Sequence, residues 1–177
     1  TIEKKEISIN GLVWMGEQSF MTRQIEEKLA AGFRCIKLKI GAIDFQKELE
    51  LLQFIRLHFD ENTIEIRVDA NGAFSPSEAF DKLNQLSDFK LHSIEQPIKQ
   101  GQLRLMAELC QKTPIPIALD EELIGVLKRE DKIKLLTTVN PHYIILKPSL
   151  IGGFKGMQEW ITIAESLSID WWVTSAL

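Results

Sequence analysis

The chain has 177 residues, of which 45% are hydrophobic and 26% are charged, the balance of an ordinary globular domain. Its formal net charge is −4 and it has no block of basic residues, so we expect no nucleic acid or membrane partner and favour a small molecule. Cys35 and Cys110 lie far apart without a CxxC pair, which argues against a disulfide scaffold and fits a reducing cytoplasm. No apolar run suits a membrane span, no leader is recognisable, and composition leaves the oligomeric state open.

Short β-rich segments alternate with amphipathic helices along the chain. The predicted strands are residues 6–13, 33–40, 64–69, 91–95, 115–120, 143–147 and 170–174. Helix boundaries carry local signals: Ser75, Pro76 and Glu78 have the spacing of a capped helix start, and Gly32 suits a left-handed helix end. We therefore predict an α/β fold with about seven strands and six helices.

Strict alternation of apolar strands and helices predicts a parallel sheet covered by helices. An open doubly wound sheet would usually place a glycine-rich phosphate turn after its first strand, and the segment from Gly11 to Gly16 lacks the GxGxxG form. A TIM-type parallel β/α barrel is therefore preferred. Because such a barrel has eight strands, we predict an incomplete barrel over residues 1–177, with the last strand beyond Leu177.

Acidic residues stand at the ends of three consecutive predicted strands, where parallel barrels form their active sites. Asp69, Glu95 and Asp120 end strands three, four and five. Adjacent strands are about 4.8 Å apart, so these carboxylates are expected to converge on a spot the size of one cation. Clustered carboxylates repel each other unless they bind a metal, and oxygen ligands select a hard ion such as Mg²⁺ or Mn²⁺. For any one acid, the alternative is a solvated strand end or a helix N-cap.

Lysines accompany these acids. On strand two, Lys37 and Lys39 alternate with Ile36 and Leu38, which sends both ammonium groups into the barrel interior. Their mutual repulsion in a partly desolvated site is expected to lower the pKa of one of them, as a general base requires. Lys147 ends strand six and is expected on the opposite side of the barrel. A solvent-facing strand side or a surface lysine is the alternative.

This combination suits removal of a proton from a carbon atom next to a carboxylate. Negative charge then accumulates on that carboxylate as an enediolate, which a divalent cation can stabilise by on the order of several kcal/mol. We therefore expect a small-molecule carboxylate as substrate, with the metal lowering the barrier and a lysine moving the proton.

Taken together, the motifs resemble the barrel domain of the enolase superfamily, in its muconate-lactonizing subgroup. The resemblance rests on KxK at residues 37–39, DxN at 69–71, Glu95 in IEQP, Asp120 in ALDEE and Lys147 in LKPSLIGG. Within the subgroup, the most similar group is the o-succinylbenzoate synthase family, on residues 9–14, 146–153 and 174–177.

The resemblance implies a Mg²⁺-dependent lyase that catalyses the syn dehydration of 2-succinyl-6-hydroxy-2,4-cyclohexadiene-1-carboxylate to o-succinylbenzoate in menaquinone biosynthesis. It implies that Asp69, Glu95 and Asp120 bind the metal. Lys39 would be the base that delivers its proton to the leaving hydroxyl, and Lys147 would stay charged and stabilise the enediolate from the opposite face.

Further roles follow from the same resemblance. Lys37 would tune Lys39, Glu121 would orient Lys147, and Arg67 would support the site from strand three. The weaker expected substrate contacts are Asn71, Ser149, Gly152 and Ser175.

Family members also carry an α+β capping domain, built mainly from the chain before the barrel, which is not expected within residues 1–177. Because the site would then be open to water, we predict that these residues alone are inactive or nearly so. Sister reactions on the same scaffold stay open, namely those of N-acylamino acid racemase, dipeptide epimerase and muconate cycloisomerase. So does a non-catalytic barrel that binds an acidic ligand.

Overall fold

Seven parallel strands form one sheet in which every strand pairs with the next one along the chain. The structure, a computed structural model, describes residues 7–176. Its strands are β1 Gly11–Val13, β2 Cys35–Lys39, β3 Glu65–Asp69, β4 Ser93–Glu95, β5 Ile117–Leu119, β6 Tyr143–Leu146 and β7 Asp170–Val173. A doubly wound sheet reverses its strand order partway, so the sequential order excludes that alternative and confirms the incomplete β/α barrel.

Six α-helices connect these strands, as predicted. They are α1 Gln18–Ala30, α2 Phe45–His58, α3 Pro76–Ser87, α4 Leu103–Lys112, α5 Arg129–Val139 and α6 Gly153–Ser166. The capping box of Ser75 and Glu78 is present at the start of α3, and Gly32 has a φ of +84° just beyond α1. The local signals in the sequence therefore set helix ends where they were expected.

The strands are shorter than predicted, and this changes the setting of two polar residues. Asp120 and Lys147 each lie one residue beyond β5 and β6, at the start of short 3₁₀ helices at Glu121–Leu123 and Pro148–Leu150 that the sequence did not predict. Of the predicted segments, residue 6 and Leu177 lie outside the described residues.

The core lies between the sheet and the helices. On β2, Ile36 and Leu38 are fully buried towards the helix layer, whereas Lys37 and Lys39 are partly exposed on the other face. The same alternation buries Ile66 and Val68 of β3 in the core. Burial of each such side chain stabilises the fold by about 1.5–3 kcal/mol, so the alternating pattern fixes which face of each strand carries the charged residues.

The sheet is curled, since residues from its two edge strands line one cavity. Leu12 of β1 and Trp172 of β7 both border a cavity of about 1020 Å³ on the concave side of the sheet. Within residues 7–176, no helix combines the length and the apolar character needed to cross a membrane.

Candidate active site

The carboxyl ends of β2, β3 and β4 bring charged residues to one level. Lys39 is the register partner of Asp69, and Asp69 is the register partner of Glu95. Asp69, Glu95 and the nearby Asp120 are buried, with at most 2% of each residue exposed. Buried acids of this kind need a positive partner, because an isolated carboxylate is costly to remove from water.

Lysine ammonium groups supply that positive charge. The Lys37 Nζ atom bridges Asp69 Oδ2, at 2.9 Å, and Glu95 Oε2. The Lys39 Nζ atom lies 2.5 Å from the same Asp69 oxygen, and Lys147 pairs with Asp120. The side chains of these lysines are 12–16% exposed, so their amines remain open to the cavity.

The acids and lysines shift each other's protonation. Burial disfavours the charged form of Lys37, but Glu95 and Asp69 outweigh burial and its pKa is raised. The lowered lysine pKa expected from mutual repulsion is thus not found at Lys37, because the acids surround its ammonium group closely. Burial disfavours the charged form of Asp69, but the positive charges of Lys37 and Lys39 outweigh burial and lower the pKa of Asp69. Burial, Asp69 and Asp120 raise the pKa of Glu95 well above its usual value.

The carboxylate oxygens of Asp69, Glu95 and Asp120 are chemically suitable ligands for a hard divalent cation. Glu95 Oε1 is buried without a hydrogen-bond partner, and the charges of Asp69 and Asp120 disfavour ionisation of Glu95 in a way that an added cation would relieve. Their spacing is not yet that of a metal site, because within residues 7–176 no three His, Cys, Asp or Glu side chains lie close enough together to hold a metal ion. Lys37 bridges two of the acids, so its ammonium group and a metal ion compete for the same oxygens.

Asn71 links Lys39 to Glu121. Asn71 Oδ1 accepts a hydrogen bond from Lys39 Nζ at 2.8 Å, and Asn71 Nδ2 donates to Glu121 Oε1 at 2.8 Å. The second oxygen of Glu121 is buried without a partner. Glu121 was expected to orient Lys147, but among the described contacts Lys147 pairs with Asp120. Asn71 was expected to contact substrate, and its amide also makes hydrogen bonds to two protein groups.

The cavity brings five of the predicted polar residues together, while the three acids lie beneath the lysines that line it. Lys37, Lys39, Arg67, Lys147 and Ser175 all line it. Ser149 and Gly152 are not among its lining residues. Ser149 is exposed in the 3₁₀ helix after β6, and Gly152, with a φ of +97°, forms the turn that starts α6.

Arg67, which was expected to support the site, belongs to a second cluster of residues that line the same cavity. Arg67 Nε donates to Glu65 Oε1 at 2.6 Å, and the Arg67 guanidinium lies 4.3 Å from the centre of the Trp172 ring. The Cys35 thiol contacts Glu65 at 3.3 Å, and burial raises its pKa to about 12. Trp171 and Trp172 are adjacent on β7, and strand alternation alone does not show which of them faces the cavity.

Comparison with known proteins places the chain in a family. Residues 21–177 match the family described as enolase C-terminal domain-like, and the chain belongs to that family. The o-succinylbenzoate synthase of Desulfotalea psychrophila is 58% identical over 174 residues, which cover 98% of this chain and 47% of that protein.

Other relatives show the breadth of the family. The crystal structure of MenC from Desulfotalea psychrophila superposes with a TM-score of 0.90 at 56% identity, over 98% of this chain and 48% of that one. The N-succinylamino acid racemase of Thermus thermophilus is 33% identical over 88% of this chain and 40% of its own length. This chain thus spans about half the length of these relatives.

Proposed function

We propose that the chain forms the barrel part of a lyase that dehydrates 2-succinyl-6-hydroxy-2,4-cyclohexadiene-1-carboxylate to o-succinylbenzoate, a step of menaquinone biosynthesis. The observation that carries the proposal is the placement of Lys39 and Lys147. Both amines line one cavity, and each is held by a different buried acid, Asp69 or Asp120. The 58% identity to the o-succinylbenzoate synthase of Desulfotalea psychrophila supports the particular reaction.

The lysines carry out the proton transfers in this proposal. As a free amine, Lys39 Nζ takes the proton from the carbon atom next to the substrate carboxylate, and the electron pair of that C–H bond moves towards the carboxylate. Lys39 then returns the same proton to the hydroxyl group on the adjacent carbon, which leaves as water while the ring becomes aromatic. A single base serves both steps because the proton and the hydroxyl leave from the same face. Lys147 stays protonated and balances the negative charge from the other side.

Asp69, Glu95 and Asp120 would hold the divalent cation, Mg²⁺ or Mn²⁺. Bound there, the cation would supply positive charge to the substrate carboxylate as negative charge builds up. Asn71 accepts a hydrogen bond from Lys39 and so directs its amine into the cavity. The Lys37 ammonium pairs with Asp69 and Glu95, and we propose that it moves aside when the cation binds.

A substrate comparison tests this function in the full-length protein. The cyclohexadiene carboxylate should be converted to o-succinylbenzoate with Mg²⁺ present, and product is followed by its aromatic absorbance. A racemase is the second candidate, because Lys39 and Lys147 both reach the cavity and a racemase needs an acid-base on each side. Incubation of N-succinyl amino acids in D₂O separates the two, since racemase activity exchanges the α-hydrogen for deuterium.

Replacing Lys147 sharpens the distinction. In a dehydratase, Lys147→Arg keeps the positive charge and should retain part of the activity, whereas in a racemase it removes one of two proton carriers and should stop racemisation. The exposed Lys134 provides a matched control as Lys134→Arg. Dehydration that is undetectable in the wild type, together with steady racemisation, would reject the first candidate.

The remaining proposals concern the whole protein. We propose that an α+β capping domain and a further barrel strand complete the site in the full-length chain, in keeping with relatives about twice as long. We also propose a cytoplasmic location, which the free thiols of Cys35 and Cys110 support.

A further inference from the structure

Gln96 follows Glu95 directly and is fully buried, although its side chain takes no part in the proton transfers. Its backbone has a φ of +40°, a left-handed conformation that residues other than glycine adopt at a cost in free energy. A buried glutamine held in this conformation requires compensation from its contacts. Those contacts lie at the edge of the sheet that carries Asp69, Glu95 and Asp120.

The backbone of Gln96 joins two neighbouring strand ends. Its N–H donates to the carbonyl oxygen of Ala118 on β5 at 2.9 Å, which continues the ladder between β4 and β5. Its carbonyl oxygen accepts from the N–H of Gly72 at 2.7 Å, in the turn that follows β3. Because the carbonyl is turned towards β3, it cannot also accept from β5.

The side chain of Gln96 makes the hydrogen bond to β5 that its backbone carbonyl does not make. Gln96 Oε1 accepts from the backbone N–H of Asp120 at 3.3 Å, one residue after β5 has ended. Gln96 Nε2 donates to the carbonyl oxygen of Ile98 at 3.0 Å. The amide is therefore held at both ends and has a fixed reach towards Asp120.

We propose that Gln96 is a positioning residue that sets the separation of Asp69, Glu95 and Asp120, and thereby the affinity of the site for a divalent cation. The inference rests on the proposed function, since it assumes that these acids bind the cation. Gln96 itself offers no ligand to the metal. It ties the turn after β3, the end of β4 and the start of the segment after β5 to one another; the last two carry Glu95 and Asp120, and the turn follows Asp69 directly.

The test measures Mn²⁺ binding to the full-length protein by electron paramagnetic resonance. Gln96→Asn keeps an amide and suits the left-handed backbone, but it is one methylene too short to reach Asp120. Gln96→Met keeps the length and removes the hydrogen bonds. Each variant should bind Mn²⁺ about 10- to 100-fold more weakly than the wild type, the range seen when residues supporting metal ligands are replaced. Raising the Mg²⁺ concentration should restore kcat, which a merely destabilised fold would not show.

Gln102 is the matched control, because within residues 7–176 its side-chain amide donates to the carbonyl oxygen of Lys99 near the surface and has no contact with the three acids. Gln102→Asn and Gln102→Met should leave Mn²⁺ binding unchanged. A wild-type protein that does not bind Mn²⁺ would remove the proposed metal site itself. A wild type that binds Mn²⁺, with a Gln96→Asn variant within twofold of it, would overturn the inference alone. If neither Gln96 variant folds, the amide hydrogen of Asp120 in the wild type decides: slow exchange supports the inference and free exchange overturns it.

Discussion

Two buried lysine clusters in this protein look alike by burial and pairing, yet only one of them faces a cavity. Lys132 of α5 has a side chain that is 1% exposed, and its amine donates to Glu159 at 2.7 Å and to the carbonyl oxygen of Gly156 at 3.3 Å. It also lies 5.3 Å from the ring of Trp160. Lys39 is similarly paired with Asp69 at 2.5 Å, but its side chain is 12% exposed and lines the large cavity.

The difference between the two clusters lies in what surrounds the pair. Lys132 joins α5 to α6 in the helix layer, and its acid Glu159 is 32% exposed and keeps contact with water. Around Lys39, the acids themselves are buried and two lysines share one of them. An ion pair among helices holds elements together, whereas several like charges collected at one end of a sheet are costly unless a ligand uses them.

The largest effect is expected from Lys39→Ala. Loss of the base should lower kcat for dehydration by about 10²- to 10⁴-fold, with only a small fall in the melting temperature, because Lys37 still pairs with the buried Asp69 carboxylate. Steady-state kinetics and thermal unfolding of the full-length protein measure both quantities. If the variant keeps most of its kcat, Lys39 is not the base, and Lys39 then differs from Lys132 in exposure but not in function.

The opposite result is expected from Lys132→Met. Removing the buried ammonium should lower the free energy of unfolding by about 1–3 kcal/mol, while kcat per folded molecule stays near the wild-type value. Urea unfolding and kinetics well below the melting temperature provide the two numbers. Lys134→Met, at an exposed position on the same helix, is the control and should change neither. A fall in kcat without loss of stability would contradict a purely structural role for Lys132.

A smaller effect is expected from Asn71→Ala, which cuts the link between Lys39 and Glu121. With its amine less well oriented, Lys39 should transfer protons about tenfold more slowly, while KM stays within about twofold, because a hydrogen bond to a charged group is worth about 1.5–3 kcal/mol. If Asn71 contacted the substrate directly, KM would rise instead. Kinetics at saturating Mg²⁺ separate these two outcomes.

The smallest effect concerns Glu48, a buried acid outside both lysine clusters. Its Oε1 accepts from the backbone N–H of Gly41 at 2.6 Å and also from Ala42 and Ile43, while Oε2 is buried without a partner. Burial raises the pKa of Glu48, so the folded state holds this proton more tightly than the unfolded chain. Its stabilising contribution is therefore present below the ordinary glutamate pKa of about 4.3 and is lost as pH rises through the raised pKa.

The Glu48→Gln variant has no ionisable carboxyl group at this position, so it should not lose stability in this way as pH rises. The free energy of unfolding of the variant, relative to the wild type, should therefore increase as pH rises above about 4.3. Urea unfolding across pH 4–7 measures the difference, with Glu26→Gln at an exposed position of α1 as the control. A difference that stays constant with pH would show that Glu48 ionises alike in both states.

Much of the fold was accessible from the sequence because it depends on periodic patterns. Alternation on β2 placed Lys37 and Lys39 opposite Ile36 and Leu38, and the structure agrees. The acids were found because Asp69 and Glu95 follow apolar strand residues directly. Patterns of this kind are local, so one chain segment suffices to reveal them.

Contacts between segments were not accessible in the same way. Asn71 and Glu121 are 50 residues apart, and their hydrogen bond depends on how the turns after β3 and β5 approach each other. Gln96 gave no periodic signal, since its importance comes from a left-handed backbone that sends its carbonyl to β3 and its side chain to β5. The bridge that Lys37 forms between two acids likewise depends on side-chain rotamers.

The chemistry of the two thiols has a practical consequence for labelling studies. Burial raises the pKa of both Cys35 and Cys110 to about 12, so at neutral pH both are almost entirely protonated and react slowly with maleimides and methanethiosulfonates. A cysteine introduced on an exposed helix position, such as Lys134→Cys, should therefore accept a spin label or fluorophore selectively. Probes that follow motion around the cavity can be attached without first removing the native thiols.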